Sequence, residues 1–263
     1  MKKETVEILK IKNGNCFLTE DEVALEKHFS VKVNGEKEFS LNCTPEALEE
    51  LILGRLYTSG MITEKKQIKS LRIFPEQREI QISLNSKITS FVRSGSPLFP
   101  PDRTELPKLA ADPGRREEGA EKKKQEKEWD FSWIFQTAEE IFESPEELFR
   151  DTGCAHSCAL CLGKKVVCRF EDIGRHNALD KAVGWALKKK IPLEETIVFT
   201  SGRISGDYLA KIIRSGIPAV VSRAAVTEEA VRMARIHGVA MYGFVRKGGG
   251  NCYALSEKSL IKN

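Results

Sequence analysis

The chain has 263 residues, 41% of them hydrophobic and 30% charged, with 42 Lys and Arg against 38 Asp and Glu. At ~150 residues per domain this is one large domain or two modest ones, long enough to bury a core without disulfide or metal staples. A net charge of +4 is too small to drive non-specific nucleic-acid binding, which rests on many phosphate contacts, yet it leaves room for a local basic site. Glu4 and Glu7 fall where a signal peptide needs an unbroken apolar run. No apolar stretch approaches the ~18 residues of a transmembrane helix. A cytoplasmic protein is expected, with no membrane and no nucleic-acid partner.

In chain order, the first readable element is a hairpin. Phe29-Ser-Val-Lys-Val and Glu38-Phe-Ser-Leu alternate apolar and polar residues around Asn34-Gly35, and Asn-Gly between such runs is the strongest short hairpin signal. Thr44-Pro45 reads as an N-cap and first helical position. Leu48, Leu51, Ile52 and Leu56 follow at helical spacing, and Gly60 is placed to end the helix. Residues 67–74 and 79–84 read as strands. Residues 1–96 thus form a small α+β domain. From Pro97 to Glu128 the composition changes: prolines break regular elements, and from Pro100 on eight acidic and eight basic residues leave little apolar surface to offset ordering entropy. Residues 97–128 are read as a charged linker or insertion.

Residues 129–263 form the second domain. Strands are expected at 164–170, 196–200, 219–222, 239–245 and 251–255. Helices are expected at 177–190, from Ser205 to Ser215, and from Thr227 to Gly238. Strands alternating with helices of this length imply an α/β fold with a largely parallel sheet. Ligands of such sheets bind beyond the strand carboxyl ends, so the loops there are the place to look. They are Glu171-Asp172-Ile173-Gly174-Arg175-His176, Ser201-Gly202-Arg203, Ser222-Arg223, and Arg246-Lys247-Gly248-Gly249-Gly250. Each carries an arginine, and two open onto a helix N-terminus. Helix-start N–H groups, arginine forks and close-approaching glycine backbone suit an anionic, phosphate-bearing ligand. Neither a P-loop nor a Rossmann fingerprint occurs. Asp172 and His176 are either a general acid/base group or simple structural hydrogen-bonding residues.

Seven cysteines are present, three of them in Cys154-Ala-His-Ser-Cys158-Ala-Leu-Cys161. In a reducing compartment such a group is more a matter of chemistry than of disulfides. Three readings stand. The C-x3-C-x2-C spacing is that of thiolates holding an iron–sulfur cluster with one iron open, although too little chain follows for the long βα barrel that radical enzymes of that kind need. A zinc site would use His156 as the fourth ligand. A sulfur-handling thiol would need a mobile, accessible loop, and a cation such as protonated His156 to raise its thiolate fraction. Cys16, Cys43, Cys168 and Cys252 read as ordinary small residues.

Several runs resemble one family. These are Thr152-Gly153-x2-His156, Glu171-Asp-Ile-Gly-Arg-His-Asn-Ala-Leu-Asp-Lys181, Ser201-Gly202-Arg203-Ile204-Ser205 and Gly243-Phe244-x-Arg246. Together with Val33-Asn34-Gly35, Thr44-Pro45 and Leu53–Ile62 they are similar to the formate dehydrogenase accessory proteins, FdhD. The resemblance implies a cytoplasmic sulfurtransferase that moves persulfide sulfur from a cysteine desulfurase to the bis-molybdopterin guanine dinucleotide cofactor of formate dehydrogenase. It implies a homodimer, no catalytic metal, and a C-terminal three-layer α/β domain resembling the cytidine deaminase fold beside a smaller N-terminal α+β domain. The family's cofactor-binding stretch falls on Phe244-Val245-Arg246-Lys247-Gly248-Gly249, to which the loop reading adds Arg175, His176, Ser201 and Arg203. One departure matters: the family carries sulfur on a C-G-x-C-G loop, and no cysteine lies between Cys43 and Cys154 here. The expected carriers become Cys154, Cys158 and Cys161. The alternatives are a metal-binding (zinc or iron–sulfur) enzyme acting on a nucleotide, and a cofactor-binding chaperone without sulfur chemistry.

Overall fold

The computed structural model describes residues 2–85 and 131–255. The charged segment 97–128 lies outside the described residues. The chain opens with a two-stranded antiparallel ribbon, β1 (Lys3–Lys12) and β2 (Asn15–Ala24), turned by Asn13-Gly14 at φ 52° and 80°. This ribbon has no counterpart among the expected elements. Its Asn-Gly turn is the same signal used at Asn34-Gly35, but mixed charges hide the alternation around it. Next comes a four-stranded sheet of order β4-β3-β6-β5, built from β3 (Lys27–Val33), β4 (Glu36–Cys43), β5 (Ile68–Phe74) and β6 (Glu79–Leu84). The expected hairpin turns at Asn34-Gly35, both residues at positive φ. Helix α1 (Leu48–Thr58) covers the sheet with Leu51, Ile52, Leu53 and Leu56. Thr44 is not its cap: Ala47 is, in a left-handed conformation. The Thr44 hydroxyl is buried and accepts the Ile173 N–H at 3.3 Å, so it joins the two halves of the chain instead.

The second half is a six-stranded sheet of order β12-β11-β10-β9-β7-β8. Its strands are β7 (His156–Leu162), β8 (Lys165–Asp172), β9 (Thr196–Thr200), β10 (Ala219–Ser222), β11 (Ala240–Arg246) and β12 (Gly249–Ala254). Only β9, β10 and β11 are mutually parallel. The expected largely parallel sheet is corrected by two tight hairpins, turned at Gly163-Lys164 and Lys247-Gly248, because a two-residue turn returns the chain antiparallel. Three layers result. Helices α4 (Arg175–Lys189), α5 (Gly206–Arg214) and α6 (Glu228–His237) pack one face, and α2 (Phe131–Glu143) packs the other. The Thr227 hydroxyl caps α6 by accepting the Ala230 N–H, as its position predicts. The short helix α3 (Glu147–Thr152) follows α2 and leads into β7.

The halves meet where α1 crosses α4. A Cβ on Gly54 would stand 1.8 Å from the Asp180 carbonyl oxygen, and one on Gly184 1.9 Å from that of Glu50. Glycine is thus required for backbone-to-backbone approach. Around this crossing, buried Asp180 accepts from Lys211 at 2.5 Å and from the Thr58 hydroxyl at 2.7 Å. Burial lowers the Lys211 amine to about 8 despite the carboxylate beside it. Among the described residues, no helix is long and apolar enough to cross a membrane.

Candidate functional site

Strand register collects the suspected loops on one edge. His156 at the start of β7 pairs with Asp172 at the end of β8, and Cys158 pairs with Thr200 at the end of β9. Thr200 in turn pairs with Ser222 at the end of β10. At the end of β11, Arg246 donates to the Arg223 carbonyl. All four arginine loops therefore lie side by side, joined by the segment 153–156 that leads into β7.

The run 171–181 divides its labour. Glu171 accepts the N–H groups of Leu148 and Phe149 at 2.8 and 3.0 Å, which satisfies the start of α3 from a distance. Buried Asp172 accepts from Lys181 at 2.7 Å, from the Thr44 N–H at 3.2 Å, and from Gly174 and Asn177. Asn177 donates to the Asn42 carbonyl at 2.7 Å. Asp172, Asn177, Asp180 and Lys181 are thus bolts between the two halves, and the structural reading of Asp172 prevails over acid/base work. Arg175 and His176 of this run face the neighbouring loop 205–208. Arg175 donates to the Ser205 hydroxyl at 3.3 Å, while its Nε is buried without a protein partner. His176 Nε2 lies 3.3 Å from Asp207 and its ring meets Tyr208 edge-on. The His176 contact and the Ser205 hydroxyl hold the Asp207 carboxyl well below the usual carboxylate range.

The three clustered cysteines separate. Helix α3 ends at Gly153 with φ 66°, and the Cys154 N–H then donates to the Thr152 hydroxyl at 3.0 Å, which leaves Cys154 exposed. Cys158 and Cys161 lie in β7 and are fully buried, on opposite faces: Cys158 in the core under α4 and α5, Cys161 in the core under α2. Burial pushes the Cys158 thiol far up, and the Cys161 thiol to about 12. The expectation of one mobile thiol loop is corrected, because a strand paired on both sides fixes two of the three. As arranged, the three sulfurs do not converge, and no group of three or more His, Cys, Asp or Glu among the described residues is placed to hold a metal ion. Cys43 is buried and Cys168 partly so; Cys16 and Cys252 are exposed.

Cys154 lines a cavity of about 460 Å³ with His156 and Arg223, against an apolar wall that includes Phe142, Phe149 and Ile173. Burial, then the charges of Arg175 and Arg203, lowers the His156 imidazole below the ordinary histidine range. That shift works against the cation expected beside the thiol. Ser201 accepts the Ser157 N–H at 2.9 Å and pins the start of β7. Arg203 is exposed at the same edge. In the glycine-rich loop, Phe244 is 46% exposed at φ 53°, with its N–H on the Ala224 carbonyl. Lys247 lies 3.5 Å from Glu139, and Gly248 takes the positive φ of the turn into Gly249. Val245 is wholly buried under α2 and is a packing residue, not a lining one. Sequence reasoning missed α2 and α3, which wall this cavity. The signal was there in Ile134, Ala138, Ile141 and Phe142 at helical spacing.

This geometry defines a three-layer α/β protein with an arginine-rich sheet-edge site and one accessible thiol beside it. Comparison with known proteins agrees. The model of the FdhD/NarQ family matches residues 24–260, and the chain belongs to that family. It is 31% identical over 269 residues to the sulfur carrier protein FdhD of Bacillus licheniformis, covering 95% of each chain. It is 29% identical over 258 residues to the protein of that name from Staphylococcus aureus, covering 95% of this chain and 94% of the relative. Its fold matches a crystal structure described as a candidate formate dehydrogenase accessory protein from Desulfotalea psychrophila, with a TM-score of 0.73, 22% identity, and coverage of 99% of this chain and 100% of the other.

Proposed function

We propose that this chain is a cytoplasmic sulfur carrier. In this reading it takes sulfane sulfur from a cysteine desulfurase and passes it to the bis-molybdopterin guanine dinucleotide of a formate dehydrogenase, working as a homodimer. The observation that carries the reading is Cys154: it is the one cysteine of the 154–161 group that is exposed, and it lines a cavity at the edge where the arginine loops meet. The loading step is balanced without an added oxidant. The Cys154 thiolate attacks the outer sulfur of a donor persulfide; a new S–S bond forms at Cys154, the donor's S–S bond breaks, and the donor leaves as its thiolate. His156, which lines the same cavity, is the candidate base for the Cys154 proton. The apolar wall of the cavity then shields the persulfide from water.

Arg175, Arg203 and Arg246 supply charge-assisted donors for the client cofactor's phosphates, with Lys247 and the Gly248-Gly249 backbone beside them. Phe244 offers an aromatic face for its ring systems. The orphaned Nε of Arg175 fits this reading, since a buried guanidinium N–H without a partner is uncommon unless a ligand completes it. His176 and Ser201 keep Asp207 and β7 in place around it. The test is to incubate the reduced protein with a cysteine desulfurase and cysteine, then map added sulfur by peptide mass spectrometry. A mass gain of one sulfur at Cys154, lost in Cys154→Ser, is expected. Loading at no cysteine in the 154–161 peptide would overturn the transfer reading.

A further inference from the structure

Helix α3 has little of its own to hold it. It is six residues long, Leu148 is its only buried side chain, and Glu146 in the N-cap position makes no side-chain cap bond. A helix so short is not stable by itself in water. Its start is held by Glu171, a residue of β8 that is only 6% exposed.

Each carboxylate oxygen of Glu171 begins a chain of hydrogen bonds across α3. Oε2 accepts the Leu148 N–H at 2.8 Å, the Leu148 carbonyl accepts the Thr152 hydroxyl at 2.6 Å, and the Thr152 oxygen accepts the Cys154 N–H at 3.0 Å. Oε1 accepts the Phe149 N–H at 3.0 Å, and the Phe149 carbonyl accepts the Gly153 N–H at 2.8 Å. The two chains end on adjacent residues, Gly153 and Cys154, where the backbone leaves α3. The carboxylate is itself fixed from behind. Glu171 pairs with Ser157 in the sheet, and its backbone carbonyl accepts from buried Lys181 at 3.0 Å. Glu171, Phe149 and Cys154 line the same cavity, so one carboxylate sets the place of the thiol and of part of its apolar wall.

We propose that Glu171 is the positioning residue of the sulfur site: acting through α3 and Thr152, it holds Cys154 at a fixed place beside the sheet edge without touching the sulfur. This rests on the sulfur-carrier reading above and deepens it. Attack on the outer sulfur of a donor persulfide needs the thiolate in line with the bond that breaks, and a displacement of about 1 Å can cost ~100-fold in rate. The residue type follows from the two chains. An ionised carboxylate brings two acceptor oxygens and no donor, one oxygen for each chain. A glutamine would keep one chain and turn its NH2 group against the N–H that begins the other.

Sulfur loading of Cys154 from a persulfidated cysteine desulfurase, followed by peptide mass spectrometry at increasing desulfurase concentration, separates positioning from docking. Glu171→Gln and Thr152→Val should each lower the saturating rate about ten- to hundredfold and leave the half-saturating concentration unchanged. Thr152→Ser keeps the hydroxyl and should keep the parental rate. Iodoacetamide needs access but no set direction, and should label Cys154 in all three variants at no less than the parental rate. If Glu171→Gln fails to fold, Thr152→Val still carries the test, since Thr152 is half-buried and outside the core. Parental loading rates in both Glu171→Gln and Thr152→Val would overturn the positioning role alone. A fall in loading matched by an equal fall in iodoacetamide labelling would mean that the thiol has been buried, and would overturn it as well. A parental protein that takes no sulfur at Cys154 would overturn the sulfur-carrier reading, and this role with it.

Discussion

Gly184→Ala tests the crossing of α1 and α4, and two principles give it opposite signs. Gly184 is inside α4, where alanine is favoured over glycine by about 1 kcal/mol on helix propensity alone. Against this, the added Cβ would stand 1.9 Å from the Glu50 carbonyl oxygen and 2.7 Å from the Gly54 nitrogen. Both are backbone atoms in a facing helix, so no side chain can swing aside. Contacts under 3.0 Å are essentially never made by real Cβ atoms, so the helices must part by about 1 Å. Parting them lengthens the Asp180 bonds to Lys211 and Thr58, in a region where a misplaced charge is buried. Overpacking of this kind costs about 1–3 kcal/mol net, and at ~2–4 °C per kcal/mol for a chain of this size the midpoint of thermal unfolding should fall by roughly 2–12 °C. Gly54→Ala strikes the same contact from the other side, at 1.8 Å from the Asp180 oxygen. The double variant should therefore lose less than the sum of the singles. Circular dichroism melts and urea midpoints measure all three. A Gly184→Ala protein as stable as the parent, or more so, would mean that the helices do not meet as described.

Iodoacetamide under native conditions should label Cys154 quickly and leave Cys158 and Cys161 unlabelled until urea unfolds the chain, because access differs before any difference in reactivity is counted; equal labelling of the three by peptide mass spectrometry would remove β7 from its place in the sheet. Glu171→Ala strips two N–H acceptors from the start of α3, at about 1–3 kcal/mol, and amide exchange should quicken over residues 147–153 while β9 and β10 stay protected. His156 and His176 are both held below the ordinary histidine range chiefly by burial. The unfolded chain thus takes up their protons first, and stability should fall as pH drops from about 7 to 5. The double substitution to Asn should flatten that slope; an unaltered pH dependence would show that neither ring is buried as described.

Local signals read well where one principle acts alone. Asn34-Gly35 fixes the β3–β4 turn because only such residues take two positive φ values at once, and Thr227 caps α6 because a free hydroxyl meets free N–H groups. Thr44 fails as a cap for a reason no local rule contains: its hydroxyl and backbone are engaged with Ile173 and Asp172, residues ~130 positions away. Distance along the chain also hides the roles of Glu171, which accepts from the start of α3, and of Asp172, which reads as an acid/base candidate beside His176 and acts as a bolt to Thr44. The arginine loops were legible because the ends of strands in α/β sheets are predictably where ligands go. The cysteine group does not read as a strand because Cys, Ala, His and Ser carry little strand preference, and the alternation of β7 serves two apolar cores, so no polar face marks its period.

The alternation along β7 has an evolutionary consequence. Positions 158 and 161 ask only for a small, apolar side chain that fills space on its own side of the sheet, so alanine or valine would serve nearly as well, and drift there would leave no trace in behaviour. Position 154 lies outside that register, past the glycine that ends α3, where packing asks for nothing. A cysteine retained at 154 among close descendants, while 158 and 161 wander, would be the mark of selection on sulfur itself.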